Sequence, residues 1–150
     1  MTFTTAGLLL LAASFVTAGF LSGRNERKKL HDLRLLCELV GHIGREIVYT
    51  RTELPKIYSS FAATHAHRVI DCLIAADVRS ALSSLTLPKE LYAPLSSFFS
   101  ELGSGDAARE EARCAKIAGL LEEARAKAEK EVPAGVRSAR TLGICAAALL

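Results

Sequence analysis

The chain has no tryptophan, and aromatic side chains make up 6% of its 150 residues, while Ala and Leu dominate its hydrophobic half. A β-sheet is packed mainly by β-branched and aromatic residues, so this scarcity argues against a sheet and for helices. Cysteine is equally thin. Cys37, Cys72, Cys114 and Cys145 stand singly, with no CxxC pair and no histidine at ligand spacing. Isolated thiols of this kind are mostly small buried hydrophobes in a reducing compartment, and the expectation is free cysteines and no metal. A strong excess of one charge is also missing. With 19 Lys and Arg against 16 Asp and Glu the net charge is +3, which excludes a nucleic-acid stripe. No phosphate-cradling glycine loop, nucleophile elbow, helical metal-ligand pair or inward carboxylate pair is present, so no catalytic, cofactor-binding or metal-binding residue is assigned. The chain reads as a non-enzyme that needs no cofactor.

The most informative absence is local. Residues 1–23 carry no charge, and Arg24-Asn25-Glu26-Arg27-Lys28-Lys29 then carry four positive charges against one negative. At a rise of about 1.5 Å per residue, a run of about 20 residues crosses a hydrocarbon core of about 30 Å. Residues 1–23 are therefore expected to be a transmembrane helix in the lipid bilayer. The basic flank places the N-terminus outside and the rest of the chain on the cytoplasmic side. A cleavable signal peptide would account for the small residues Val16-Thr17-Ala18, but it needs a basic start that Met1 to Thr5 lack. A buried core helix would need more chain to enclose it than remains. Gly19 and Gly23 form a GxxxG step through which two spans could approach, so a homo-oligomer is open.

Residues 24–140 are expected to form one cytoplasmic all-α domain, and the whole a membrane-anchored antiparallel helical bundle of about five to six helices. Leu30, Leu33, Leu36, Cys37, Val40, Ile43, Ile47 and Val48 recur at three- and four-residue steps, predicting a first helix over 26–49 with one buried stripe. Gly41 and Gly44 within it suggest close helix packing. Thr52 is placed to cap a short second helix with Pro55 in its first turn. The apolar pattern from Val69 to Leu82 predicts one helix or two, with a break near Ala76-Asp77. Lys89 to Leu102 forms the next, turning Leu91, Leu95, Phe98, Phe99 and Leu102 inward and closing at Gly103. Asp106 is the natural N-cap of a last long helix, which Val132-Pro133-Ala134-Gly135 should kink or end. Arg137 and Arg140 then precede an uncharged run, 141–150, that either starts a second span or dips into the membrane.

His65 and His67 read as a loop or surface pair, and His31 and His42, eleven apart, can share a helix face. Asp71 and Asp77 read as surface residues or caps. For contact with protein partners, the polar face of the last helix offers Arg109, Arg113, Glu122 and Lys127.

In order, these pieces resemble the stage III sporulation protein AB family. The resemblance is carried by the anchor with its basic flank, by Glu46-Ile47-Val48-Tyr49-Thr50-Arg51-Thr52-Glu53-Leu54-Pro55, which is similar to the family's E-I-x-Y-x-x-T-x-L-P, and by Phe98 to Asp106, similar to its F-G-x-x-L-G-x-x-D. Leu142-Gly143 opens the terminal run as in the family. Phe99 departs from the usual glycine and Glu110 from the usual amide. The resemblance implies a scaffold in the mother-cell membrane, part of the channel joining mother cell and forespore. Its domain would be similar to the cytoplasmic domains of the type II secretion platform protein F, and its partners would be a secretion-type ATPase and other channel subunits. A membrane-anchored adaptor for a cytosolic partner unrelated to secretion is the alternative.

Overall fold

A computed structural model describes the backbone of residues 2–50 and 52–148 and the side chains at 7, 14, 23–47, 49 and 52–131. Among the described residues the chain is all-helical, in the order α1 (Thr2–Thr50), α2 (Leu54–Thr64), α3 (Arg68–Ile74), α4 (Val78–Ser83), α5 (Lys89–Glu101) and α6 (Ala107–Ala148), with no strand. No helix among the described residues is long and apolar enough to cross a membrane. The side chains of the expected anchor and of the terminal run 141–150 lie almost entirely outside the described residues.

The fold divides into two compact units, His31–Arg125 and Met1–Leu30 with Ala126–Leu150. In the first unit α1 is the spine. Leu33, Leu36, Leu39 and Ile43 are completely buried, and Leu35 and Val40 nearly so. That face is wider than the single stripe expected, because α1 meets three other elements: Asp32 reaches the loop before α5, His42 meets Ser60 of α2, and Gly44 lies against Cys114 of α6. Against this spine α2 turns Ile57, Tyr58 and Phe61 inward, α3 Val69, Ile70 and Leu73, and α4 Ala81 and Leu82. The five inward residues expected of α5 and its end, Leu91, Leu95, Phe98, Phe99 and Leu102, are all buried.

Helix ends follow local chemistry. Between α3 and α4, Asp77 N–H donates to the Cys72 carbonyl at 2.9 Å and Ala76 N–H to that of Leu73 at 3.0 Å, with Ala76 at φ +57°. This is a Schellman stop with alanine where glycine is usual. Asp77 then caps α4 by accepting Ser80 N–H at 3.0 Å, and the Ser80 hydroxyl together with that N–H holds its carboxyl below the ordinary carboxylate range. Two expectations need correction. The N-cap of α2 is Glu53, not Thr52, and its side chain makes no capping bond. The Glu53 carbonyl accepts from Lys56 and Ile57, and Pro55 has no N–H that needs a cap. Secondly, of the kink or end expected at Val132 to Gly135, the end does not occur, and α6 runs through Pro133 to Ala148. An interior proline removes a single ladder bond, and the turns on either side keep theirs.

In the second unit, Lys29 Nζ of α1 lies 3.3 Å from Glu131 Oε2 of α6 and 3.7 Å from Glu26 Oε2. Ala128 is buried, and Arg24, Arg27 and Lys28 are exposed.

Candidate interaction site

The α5–α6 junction is a polar clamp built on one buried carboxylate, that of Glu110. Gly103 takes φ +84°, and a Cβ there would come within 3.1 Å of Leu54 Cδ1, so only glycine both turns the chain and lets α2 approach. Asp106 caps α6 by accepting Arg109 N–H at 2.9 Å. Glu110, only 2% exposed, accepts Gly105 N–H at 2.9 Å and Arg113 Nη1–H at 3.0 Å. The Arg113 guanidinium also donates to the Glu101 carbonyl at 2.8 Å and pairs with Glu101 Oε2 at 3.2 Å. One arginine thus ties the end of α5 to the start of α6.

All four histidines line one seam between α1 and the α2–α3 segment. His65 Nε2 donates to Glu38 Oε2 at 3.0 Å, and its ring stacks on Phe61 with centroids 4.3 Å apart. His42 lies 3.0 Å from Ser60 Oγ and leans on the same phenyl ring. His67 caps α3, with Nδ1 accepting Val69 N–H at 3.3 Å, and stands 6.4 Å from the His31 ring. No group of His, Cys, Asp or Glu among the described residues could hold a metal ion. The seam's chemistry is capping and packing.

Between α1 and α6 lies an open groove lined by Val40, Gly41, Gly44, Cys114, Ala115 and Ala118, with Arg45, Tyr49 and Glu111 around it. At Gly44 the helices approach closely, since a Cβ there would meet Cys114 Cβ at 3.5 Å. At Gly41 only the Arg45 guanidinium lies near, at 3.8 Å, and the missing side chain opens the groove. Cys37, Cys72 and Cys114 are free thiols, and Cys145 lies outside the described residues. Burial, with the charge of Glu110, pushes the Cys114 thiol up to about 11; burial, with Glu122, does the same to Cys37. Relative to the ordinary value of 9.0, each thiol is a thiolate about a hundredth as often at neutral pH. Maleimide labelling followed by peptide mass spectrometry should therefore find both modified at least about a hundredfold more slowly in the native chain than in denaturant. Equal rates would contradict this burial.

The residues expected to face partners lie along α6. Arg109 and Lys127 are exposed, and Glu122 is exposed and paired with Arg125 at 2.9 Å. Arg113 is turned into the clamp. Sequence reasoning missed Asp32, Glu110 and the groove. Glu110 was legible in part, standing four residues beyond the cap Asp106, where a carboxylate can reach back to the helix start.

The model of the stage III sporulation protein AB family matches residues 4–77, from the first turn of α1 to the cap of α4. Comparison with curated proteins and with solved structures found no match. The first of the two turn motifs, Glu46 to Pro55, lies inside the matched span, at the end of α1 and the start of α2. Over residues 4–77, just under half of its length, the chain is similar to the stage III sporulation protein AB family, which implies a role in sporulation.

Proposed function

We propose that the protein is a non-catalytic scaffold of the channel between mother cell and forespore. In this reading residues 1–23 anchor it in the mother-cell membrane, 24–140 form its cytoplasmic domain, and 141–150 return to the bilayer. The single observation that carries the role is the family match over 4–77. The polar side chains support it, because those with named contacts act as caps, clamps and tethers between helices rather than as a reacting set. The exposed Arg24, Arg27 and Lys28 directly after the uncharged run suit an anionic inner leaflet. The domain would dock a secretion-type ATPase and other channel subunits, in the manner of the platform protein F of type II secretion, through helix faces that include Arg109, Glu122 and Lys127.

Deleting the gene in a sporulating host should abolish late forespore gene expression, and a tagged copy should restore it and co-purify with the channel ATPase and its membrane partners. A deletion strain that completes spores with normal forespore expression sinks the channel role. Rescue without co-purification of the ATPase favours the adaptor reading instead.

A further inference from the structure

The α1–α6 groove is an open, mainly apolar surface feature to which the fold gives no structural use. It encloses about 270 Å³ over a floor of small and apolar residues. Tyr49, 83% exposed, stands at its end, and Ile74 is the only other large hydrophobic exposed among the described residues. Large aromatics are enriched where proteins meet, and a ring held beside an uncovered apolar floor is poorly accounted for by one copy alone.

The walls carry opposite charge. Arg45 belongs to α1 and Glu111 to α6, and neither makes an ion pair among the described residues. They also stand at one level. α1 and α6 run antiparallel, with Gly44 beside Cys114 and Cys37 near Glu122, which sets Arg45 across from the turn holding Glu111. A two-fold axis parallel to the helices preserves that level while exchanging α1 for α6. Each Arg45 wall then meets a Glu111 wall, and each Tyr49 reaches a floor of glycine and alanine. The patch is self-complementary, as a two-fold interface must be.

We propose that this groove is a self-association surface, closed by the same groove of a second copy of the chain, with Arg45 of one protomer paired to the partner's Glu111. The result is a four-helix packing of two α1–α6 pairs, a stable arrangement for antiparallel helices. The pairing requires no other channel subunit.

Charge exchange in the full chain, reconstituted in lipid nanodiscs or mild detergent, tests this by sedimentation equilibrium. The wild type should be a dimer. Arg45→Glu and Glu111→Arg should each weaken it about tenfold or more by placing like charges together, and the double variant should recover to within about threefold. Tyr49→Ala should weaken it about tenfold with unchanged helical circular dichroism. A monomer at every concentration overturns the proposal. So does a dimer indifferent to all four variants, which would assign pairing to the Gly19 and Gly23 step. Weakening by both single reversals without recovery in the double variant would overturn the Arg45–Glu111 pairing.

Discussion

Replacing Glu110 by alanine should lower the stability of the native chain by about 2–3 kcal/mol, read as a drop in urea midpoint at unchanged slope. The carboxylate is 2% exposed and serves two donors, Gly105 N–H and Arg113 Nη1–H. Its loss leaves Gly105 N–H without that acceptor at the start of α6 and removes the charge opposite Arg113. The guanidinium keeps Glu101 and Ser104, at 2.8 Å to the Glu101 carbonyl and 3.2 Å to Ser104 Oγ, so it is not stranded. For that reason the cost falls at or below the lower end of the 3–5 kcal/mol typical when one member of a buried pair is removed. Glu110→Gln should lose about half as much, because the amide carbonyl still accepts from Gly105. Its NH₂ takes the place of Oε2, which has no hydrogen-bond partner in the native chain, and that new buried donor keeps the variant below wild type. An alanine variant with the wild-type midpoint would show that the clamp adds nothing to stability. A loss of this size is a large fraction of the roughly 5–15 kcal/mol that holds a domain together.

What could be read from sequence was what neighbouring residues decide among themselves. Asp106 caps α6, Gly103 turns the chain, and α3 stops at Ala76-Asp77 because each depends on a few consecutive backbone groups. The inward face of α5 follows from spacing alone, since Leu91, Leu95 and Phe98 recur at helical steps. Pro94 sits inside that helix without ending it, as Pro133 does in α6. The sequence carries α5 through Pro94 but predicts a kink or an end at Pro133, and a helix can continue past a single missing ladder bond. Contacts between distant segments left no such trace. His42 and Ser60 are 18 residues apart and the Asp32–Thr86 pair 54, and nothing in either segment marks its partner. The groove escaped for the same reason. Gly41 and Gly44 look alike on paper, yet one is pressed against α6 and the other is covered only by its own helix's arginine.

Asp32→Ala should cost about 1.5–3 kcal/mol, the range for a hydrogen bond to a charged group, and should act first on a loop more than fifty residues away. Asp32 is 1% exposed, and its Oδ2 accepts Thr86 N–H at 2.8 Å. Leu85 and Leu87 on either side of Thr86 are buried in the core, so this bond works beside apolar packing. Pro88, the N-cap of α5, makes no side-chain capping bond, and the loop's other side-chain tethers are Ser84, whose hydroxyl donates to the Ala81 carbonyl at 2.7 Å, and Tyr92, whose hydroxyl donates to the Leu85 carbonyl at 3.1 Å. The carboxylate on α1 thus does from a distance what a local cap does elsewhere. Asp32→Asn, which keeps an acceptor, should recover most of the loss, whereas Asp32→Leu fills the space but leaves Thr86 N–H without its partner. Hydrogen exchange separates packing from the bond. In the alanine and leucine variants the amides of residues 84–88 should exchange at least about tenfold faster, with α2 and α6 protected as before. If the leucine variant matches wild type in both midpoint and exchange, buried volume rather than the hydrogen bond secures the loop. If exchange rises throughout the unit, Asp32 supports the spine as a whole, and the entry to α5 is not separately held.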